Sequence, residues 1–363
     1  MNICIVSNYK QEGYGESTRP GQLAKYLATL GHNILHICDW QGVTNGIKHI
    51  QIERNSWDTN PFTRAITFAK KFLEIHWFKP DIVYIHQFNN GHWAQQTNLL
   101  KGFKKVFDAH TSAYYEQTTF AGSEAGFAQL KKQENDICHS ADFIIAASNE
   151  TKDILIKTYQ LSPEKIRVVG NATNVSPVET ITNLASSKFI CLATLPQDGF
   201  KSNQLALEML LDIAAKVYES NTQIEFHIVG GGNMPTTFTP NVFFKGYVKD
   251  LRQTILGSSL CLMPFPANAV CGGARNKFCD YIALGKTTIT TPEGMRGMEI
   301  LTDKKNCLVA TTSQQFAAEI ISLEINRNRL IEISKEVFLI KDYFNWQDRA
   351  KKVESIFQEL IKK

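Results

Sequence analysis

The chain has 363 residues, long for one domain and comfortable for two. Its residues are 43% apolar and 20% charged, as in an ordinary soluble globular protein, and a net charge of +4 does not by itself imply a nucleic-acid partner. The eight cysteines are scattered, with no CxxC pair and no zinc-finger spacing to histidine; this argues against a disulfide framework and fits a reduced, cytoplasmic compartment. The start MNICIVSNYK has no basic leader and turns polar at Ser7, so it does not read as a signal peptide. No apolar run approaches the ~20 residues of a membrane span.

In chain order, ICIVS (3–7) reads as a buried strand and PGQLAKYLATLG (20–31) as a helix closed by glycine. NILHICDW (33–40), DIVYIHQF (81–88), KKVFDAH (104–110), ADFIIAAS (141–148) and IRVVGNAT (166–173) follow as strands with helix-like segments between them. Strand and helix in alternation imply a parallel sheet covered on both faces. NVSPVETITNLASSK (174–188) is polar and aperiodic and reads as a linker. The alternation then restarts: strand FICLATL (189–195), helix 203–219, strands IEFHIVGGG (224–232), NVFFKGYV (241–248), SLCLMPF (259–265) and KTTITT (286–291). The predicted domains are 1–173, a linker 174–187, 188–343, and a closing amphipathic helix 344–363 with Trp346, Val353, Ile356, Phe357 and Leu360 on one face.

The segment CGGARNKFCDYIALGKTTITT (271–291) carries the most chemistry. Gly272 and Gly273 allow close backbone approach, and a helix start just after them offers unpaired N–H groups to a phosphate. Arg275 and Lys277 add countercharge. Asp280 stands one turn after Asn276; a carboxylate there would repel phosphate but suits the hydroxyls of a ribose. The plain alternative is a loop glycine pair and a solvated helix start. GKT at 285–287 is not a P-loop, because Asp280 stands where that pattern needs glycine and a strand follows.

The loop NYKQEGYGESTRPGQ (8–22) places GYG near a helix start but fails the dinucleotide fingerprint, with Asp39 after the second strand the remaining support for that reading. His86 and His110 end strands, where open parallel sheets bind ligands; a hydrogen-bonded structural histidine is the competing reading for both. His92 and Trp93 in NNGHWAQ are weaker cleft candidates, and Lys201, just before a helix, can meet a phosphate or simply face water. RAITFAKKFLEIHWFK (64–79) admits a membrane-surface helix, with an ordinary packed helix preferred. No Asp-x-Asp occurs, so a metal–diphosphate site of that kind is not indicated, and no GxSxG or HExxH appears either.

Nine segments in one order then carry a resemblance: YGESTRPGQLAKYLATLGHNI, PDIVYIH, FDAH, ADFIIAASNETKDIL, KIRVVGNATN, IEFHIVGGGN, NVFFKGYV, GGARNKFCDYIALGKTTITT and EGMRGMEI. Together they resemble the retaining, nucleotide-sugar-dependent GT4 (group 1) glycosyltransferases, along nearly the whole chain. The resemblance implies the GT-B fold, two Rossmann-like domains facing each other across a cleft, with the last helix returning to the first domain. It implies transfer of a sugar from a nucleoside diphosphate donor to a hydroxyl of a glycan, glycolipid or small acceptor, with retention. It implies no cofactor and no metal, no nucleic acid, and peripheral membrane contact at most.

By position, Gly15 matches the first-loop glycine near the donor, His110 the histidine near the transferred sugar, and Lys201 the lysine at the leaving diphosphate. Gly272, Gly273, Ala274, Arg275 and Asn276 match the phosphate-receiving loop and helix start, Asp280 the ribose-holding second glutamate of Glu-x7-Glu, and Tyr247 and Val248 the backbone that meets the base. Two positions depart from the pattern: Gly272 replaces the first glutamate, and the usual arginine partner of the lysine falls near Thr194. A GT-B epimerase or an inactive sugar-nucleotide binder are the alternatives these departures leave open.

Overall fold

The computed structural model describes residues 1–9, 18–40, 42–44, 46–51, 69, 72–97, 100–181, 188–197, 199, 201–233, 235–270 and 275–363, with 96 and 97 as backbone alone. Gly15, Gly272, Gly273 and Ala274 therefore lie outside the described residues, as do part of the linker and most of 64–71. The chain forms two compact units, Met1–Asn171 with Trp346–Lys363, and Ala172–Asn345.

The first unit is built on an eight-stranded sheet in the order β3-β4-β2-β1-β5-β6-β7-β8. Its strands are β1 Asn2–Val6, β2 Asn33–Cys38, β3 Gly42–Thr44, β4 Ile47–Gln51, β5 Ile82–His86, β6 Lys105–Ala109, β7 Phe143–Ala146 and β8 Ile166–Val168. All neighbours pair in parallel except β3 with β4. Every residue of β5 is buried, which is why it reads as an unbroken apolar run: a central parallel strand is covered on both faces. Helix Trp346–Lys362 packs on helix Thr18–Thr29 of the same unit. Trp346, Val353, Ile356, Phe357 and Leu360 are all buried, so the apolar stripe read from the sequence is the packed face.

The second unit has a six-stranded, all-parallel sheet in the order β11-β10-β9-β12-β13-β14. The strands are β9 Ile190–Thr194, β10 Glu225–Val229, β11 Val242–Gly246, β12 Leu260–Met263, β13 Thr288–Thr290 and β14 Leu308–Val309. Helix Lys201–Ser220 follows β9, and helix Asn276–Ala283 precedes β13.

Two local elements differ from the sequence reading. The strand read over 81–88 ends at His86, and NNGHWAQ lies within helix Gln87–Thr97, entered from β5 through Gln87 in a left-handed conformation (φ 67). Trp93 packs against the hydrophobic core from that helix. The β3–β4 hairpin was not anticipated, because a three-residue strand is too short to show a period. Lys286 of the GKT sequence is buried and donates to the carbonyls of Leu256 and Ser258, at the end of helix Leu251–Leu256, where a cation meets the negative pole of the helix.

Candidate active site

Among the parallel strands of each sheet the order reverses once. The loops beyond the strand carboxyl ends part at that point, and ligands bind in the opening. In the second unit the reversal falls between β9 and β12. The loop after β9 leads to Lys201, and the loop after β12 leads to helix Asn276–Ala283. Topology alone thus puts the two basic, glycine-containing segments on either side of one crevice.

Hydrogen bonds fix both walls. Gln197 N–H donates to Gly231 O at 2.7 Å, so the β9 loop is stitched to the end of β10. Gly230 and Gly232 have φ of 131 and 107, and a Cβ on Gly232 would fall 2.1 Å from the Gln197 carbonyl oxygen, so only glycine permits this approach. Asn203, in the first turn of helix Lys201–Ser220, donates to Pro196 O at 2.9 Å and accepts from Lys277 Nζ at 3.0 Å. Thr194 N–H, at the end of β9, donates to Tyr281 Oη at 2.8 Å. Asn203 and Tyr281 therefore hold the two helices at the crevice.

Helix Asn276–Ala283 buries Phe278, Cys279, Tyr281, Ile282 and Ala283 and turns Asn276 and Asp280 to a more open side. Its N-cap residue Arg275 makes no side-chain cap, so the side chain leaves the first N–H groups untouched. Asn276 Oδ1 is a buried acceptor with no hydrogen-bond partner among the described residues. Asp280 is half-buried, and the Thr173 hydroxyl donates to its Oδ1. Burial pushes the Asp280 carboxyl up to about 6, against the opposing pull of the Thr173 hydrogen bond and the Lys277 charge.

The cations divide into two kinds. The Arg275 guanidinium is buried, donates to Ala269 O at 2.6 Å, pairs with Glu293 at 3.2 Å and lies 3.6 Å from the centre of the Phe265 ring. Arg296 also pairs with Glu293, at 2.7 Å. Arg275 thus anchors the loop beneath the helix start. Lys201 is exposed at the first position of its helix, and Lys277 is half-buried with the neutral Asn203 as a partner. Tyr247 and Val248 follow β11; Tyr247 is 78% exposed and its ring lies against Gly231, where a Cβ would meet the ring carbons.

In the first unit the reversal falls between β1 and β5. Asn8, after β1, donates to Gln87 Oε1 and accepts from Asn90, both at 3.1 Å. Next to this crevice, Asp108 on β6 accepts from Arg19 at 2.9 Å and from the Tyr84 hydroxyl, with His86 Nδ1 at 3.6 Å. Arg19 also donates to Val169 O, Gly170 O and Asn171, which ties the first helix to the end of β8. His86 is buried, and its Nε2 has no hydrogen-bond partner among the described residues.

His110 follows β6 and is half-buried. Burial first, and then the Arg19 cation, bring its pKa down to about 4, so the ring is neutral at physiological pH. His92 lies on helix Gln87–Thr97 with its ring stacked on Phe88. Thr173, Asn203, Tyr281 and Glu293 were not anticipated as site residues from sequence; each is a polar residue whose partner at the site, Asp280, Lys277, Thr194 or Arg275, stands 18 or more positions away.

Comparison with known proteins adds two family matches. The model for Glycosyltransferase Family 4 matches residues 17–176, and that for Glycosyl transferases group 1 matches residues 186–326. Among solved structures, sucrose-phosphate synthase from Thermosynechococcus elongatus superposes with a TM-score of 0.75 at 15% identity, covering 99% of this chain and 98% of its own. A glycosyltransferase from Rickettsia africae ESF-5 gives 0.72 at 18% identity, with 99% and 98% covered. Anabaena HepE, in complex with UDP-glucose, gives 0.74 at 13% identity, with 98% and 99% covered. A comparison with curated proteins returns no significant match.

Proposed function

We propose that this chain, which belongs to the GT4-like group 1 glycosyltransferases of the GT-B fold, uses the β9/β12 crevice of its second unit to hold a nucleoside diphosphate sugar. The observation that carries the reading is the arrangement around helix Asn276–Ala283: an uncapped helix start, two lysines at the crevice walls, and a carboxylate one turn further on.

In this reading the N–H groups at the helix start and the loop Gly272–Ala274 receive the diphosphate. Lys201 and Lys277 supply the countercharge as negative charge grows on the departing diphosphate, and a fixed cation there lowers the barrier. Arg275 acts beneath them, because its guanidinium is already committed to Glu293 and Ala269. Asp280 accepts from the ribose hydroxyls, with its Oδ1 oriented by Thr173. Asn276 Oδ1, a buried acceptor without a partner, takes a hydroxyl of the donor. This compensates for Gly272, which stands at the first glutamate of the Glu-x7-Glu pattern that the sequence resembles. Tyr247 and Val248 flank the base.

On the first unit, neutral His110 hydrogen-bonds the sugar substrate, and Gly15 lets backbone approach the donor. Retention of the anomeric configuration, a UDP-linked donor and a hydroxyl acceptor on a glycan or lipid-linked glycan complete the proposal. No cofactor or metal is needed, since lysines and helix N–H groups do the work of a cation. Among the described residues no helix is long and apolar enough to cross a membrane; the acceptor, if lipid-linked, would be met from the bilayer surface.

The test is a panel of nucleoside diphosphate sugars screened by thermal shift, since a ligand bound only by the folded state raises its stability. A UDP-sugar should raise the midpoint and other nucleotides should do so less. No shift with any donor at millimolar concentration refutes the reading. Product analysis by NMR with the stabilising donor then reports the anomer formed.

A further inference from the structure

Beside the first-unit crevice, at the root of the loop that follows β1, the first unit gathers three metal-ligating side chains, two of them on one strand and the third on its neighbour. His36 on β2 and His49 on β4 are register partners in adjacent parallel strands. Cys38 stands two residues after His36, so the period of the strand puts it on the same face. All three are buried, and one ligand atom from each lies within 4.8 Å of the other two. Among the described residues this is the one such cluster.

We propose that His36, Cys38 and His49 bind a thiophilic divalent cation of the zinc type. Cys38 Sγ and His49 Nδ1 are 3.7 Å apart. Two ligands of a tetrahedral zinc, with bonds of about 2.3 Å to sulfur and about 2.0 Å to nitrogen, stand about 3.6 Å apart. The pair is therefore already at ligand spacing.

The outer contacts orient the rings in the manner of metal-bound histidines. The Thr44 hydroxyl engages His49 Nε2, which leaves Nδ1 directed to the thiol. Ser7 Oγ lies 2.7 Å from His36 Nε2. The other nitrogen of that fully buried ring, His36 Nδ1, has no hydrogen-bond partner among the described residues. A buried ring nitrogen left unmet within a cluster of potential ligands is what a ligand set without its ion presents.

Burial holds the pKa of both imidazoles below its ordinary value, so they are neutral and can donate their lone pairs. On binding, the Cys38 thiol loses its proton to solvent as the metal–sulfur bond forms. Its present acceptor, the Trp40 carbonyl at 3.2 Å, is released. The fourth position is left to water. Tyr9 stacks over both histidines at 5.1 Å, so the ion would stiffen the root of the loop that follows β1.

The proposal does not rest on the transferase reading, and its test separates the two. The full chain, reduced and stripped with a chelator, is titrated with cobalt(II) without oxygen. One equivalent should bind, with a thiolate-to-cobalt charge-transfer band in the near ultraviolet and the visible bands of four-coordination. Cys38→Ser should lose the charge-transfer band, whereas Cys138→Ser, at another buried thiol, should keep it. His49→Gln, which retains every thiol, should weaken cobalt binding at least about tenfold. Zinc should raise the unfolding midpoint of the wild type and leave that of Cys38→Ser unmoved. Absence of the band in the wild type, its survival in Cys38→Ser, or unchanged affinity in His49→Gln overturns the proposal. Stabilisation by a nucleotide sugar should persist in Cys38→Ser in every case.

Discussion

Donor binding should weaken about tenfold when the pH falls from about 8 to about 5, and Asp280 should be the cause. In the free protein burial holds this carboxyl at about 6, so it is ionised at the upper pH and roughly nine-tenths protonated at the lower. If only the carboxylate accepts both ribose hydroxyls, the apparent affinity falls with the ionised fraction, about one decade per pH unit below 6. The assay is calorimetry with an intact nucleotide sugar, whose diphosphate has no proton of its own to gain in this range. Asp280→Asn should bind more weakly at pH 8 and show a flat profile. A flat wild-type profile, or the same slope in Asp280→Asn, refutes the ribose role.

The same shift predicts stability. A carboxyl whose folded pKa lies above its unfolded value binds more protons when folded, so it destabilises the fold progressively as pH rises from about 4 to about 6. The full shift would correspond to roughly 3 kcal/mol, and half-exposure reduces this to ~1–2 kcal/mol. Asp280→Asn should therefore be the more stable protein at pH 8, the trade expected of a group placed for binding.

Four further outcomes follow. His86 is buried with its pKa brought down to about 4, so the unfolded chain binds the extra proton; stability should rise with pH between about 4 and 6.5, and urea unfolding of His86→Gln should show a shallower rise. Arg275→Met breaks a buried pair while Glu293 keeps Arg296 among its partners, and chemical denaturation should show a loss of about 3 kcal/mol, at the low end for a broken buried pair. Phe357→Ala opens a cavity under the last helix and should cost ~3–5 kcal/mol, although it lies in the closing segment of the chain. Lys201→Ala should leave the unfolding midpoint unchanged, because the side chain is exposed, and lower turnover by about a hundredfold or more with a smaller change in donor affinity.

The alternating strands and helices, the two sheets and the packed face of the last helix were all legible in the sequence. Each depends on a local period that backbone geometry imposes: continuous apolar runs for central parallel strands, and a 3.6-residue stripe for the helix. Ranges differ from the observed elements by up to five residues at an end, as with strand 166–173 against Ile166–Val168, because the polar loop that begins past the last paired residue has no sharp local mark. The start of helix Gln87–Thr97 was read as the end of strand 81–88, because its asparagines, glutamines and glycine show neither period.

The chemistry of individual groups was not legible in the same way. Arg275 reads as a phosphate ligand until the fold brings Glu293 against it, and Asp280 reads as a ribose acceptor whose half-buried setting and Thr173 donor, 107 positions away, only the fold supplies. Asn203 meets Lys277 across 74 residues, and His49 meets His36 and Cys38 only because β4 pairs with β2. By itself the sequence determined which segments are strands and helices, and which residue types stand at the ends of strands. Only the tertiary structure decided which cations are spent on internal pairs and which face the crevice, because burial and partner distance depend on strand order, and strand order is a long-range property that no local period encodes.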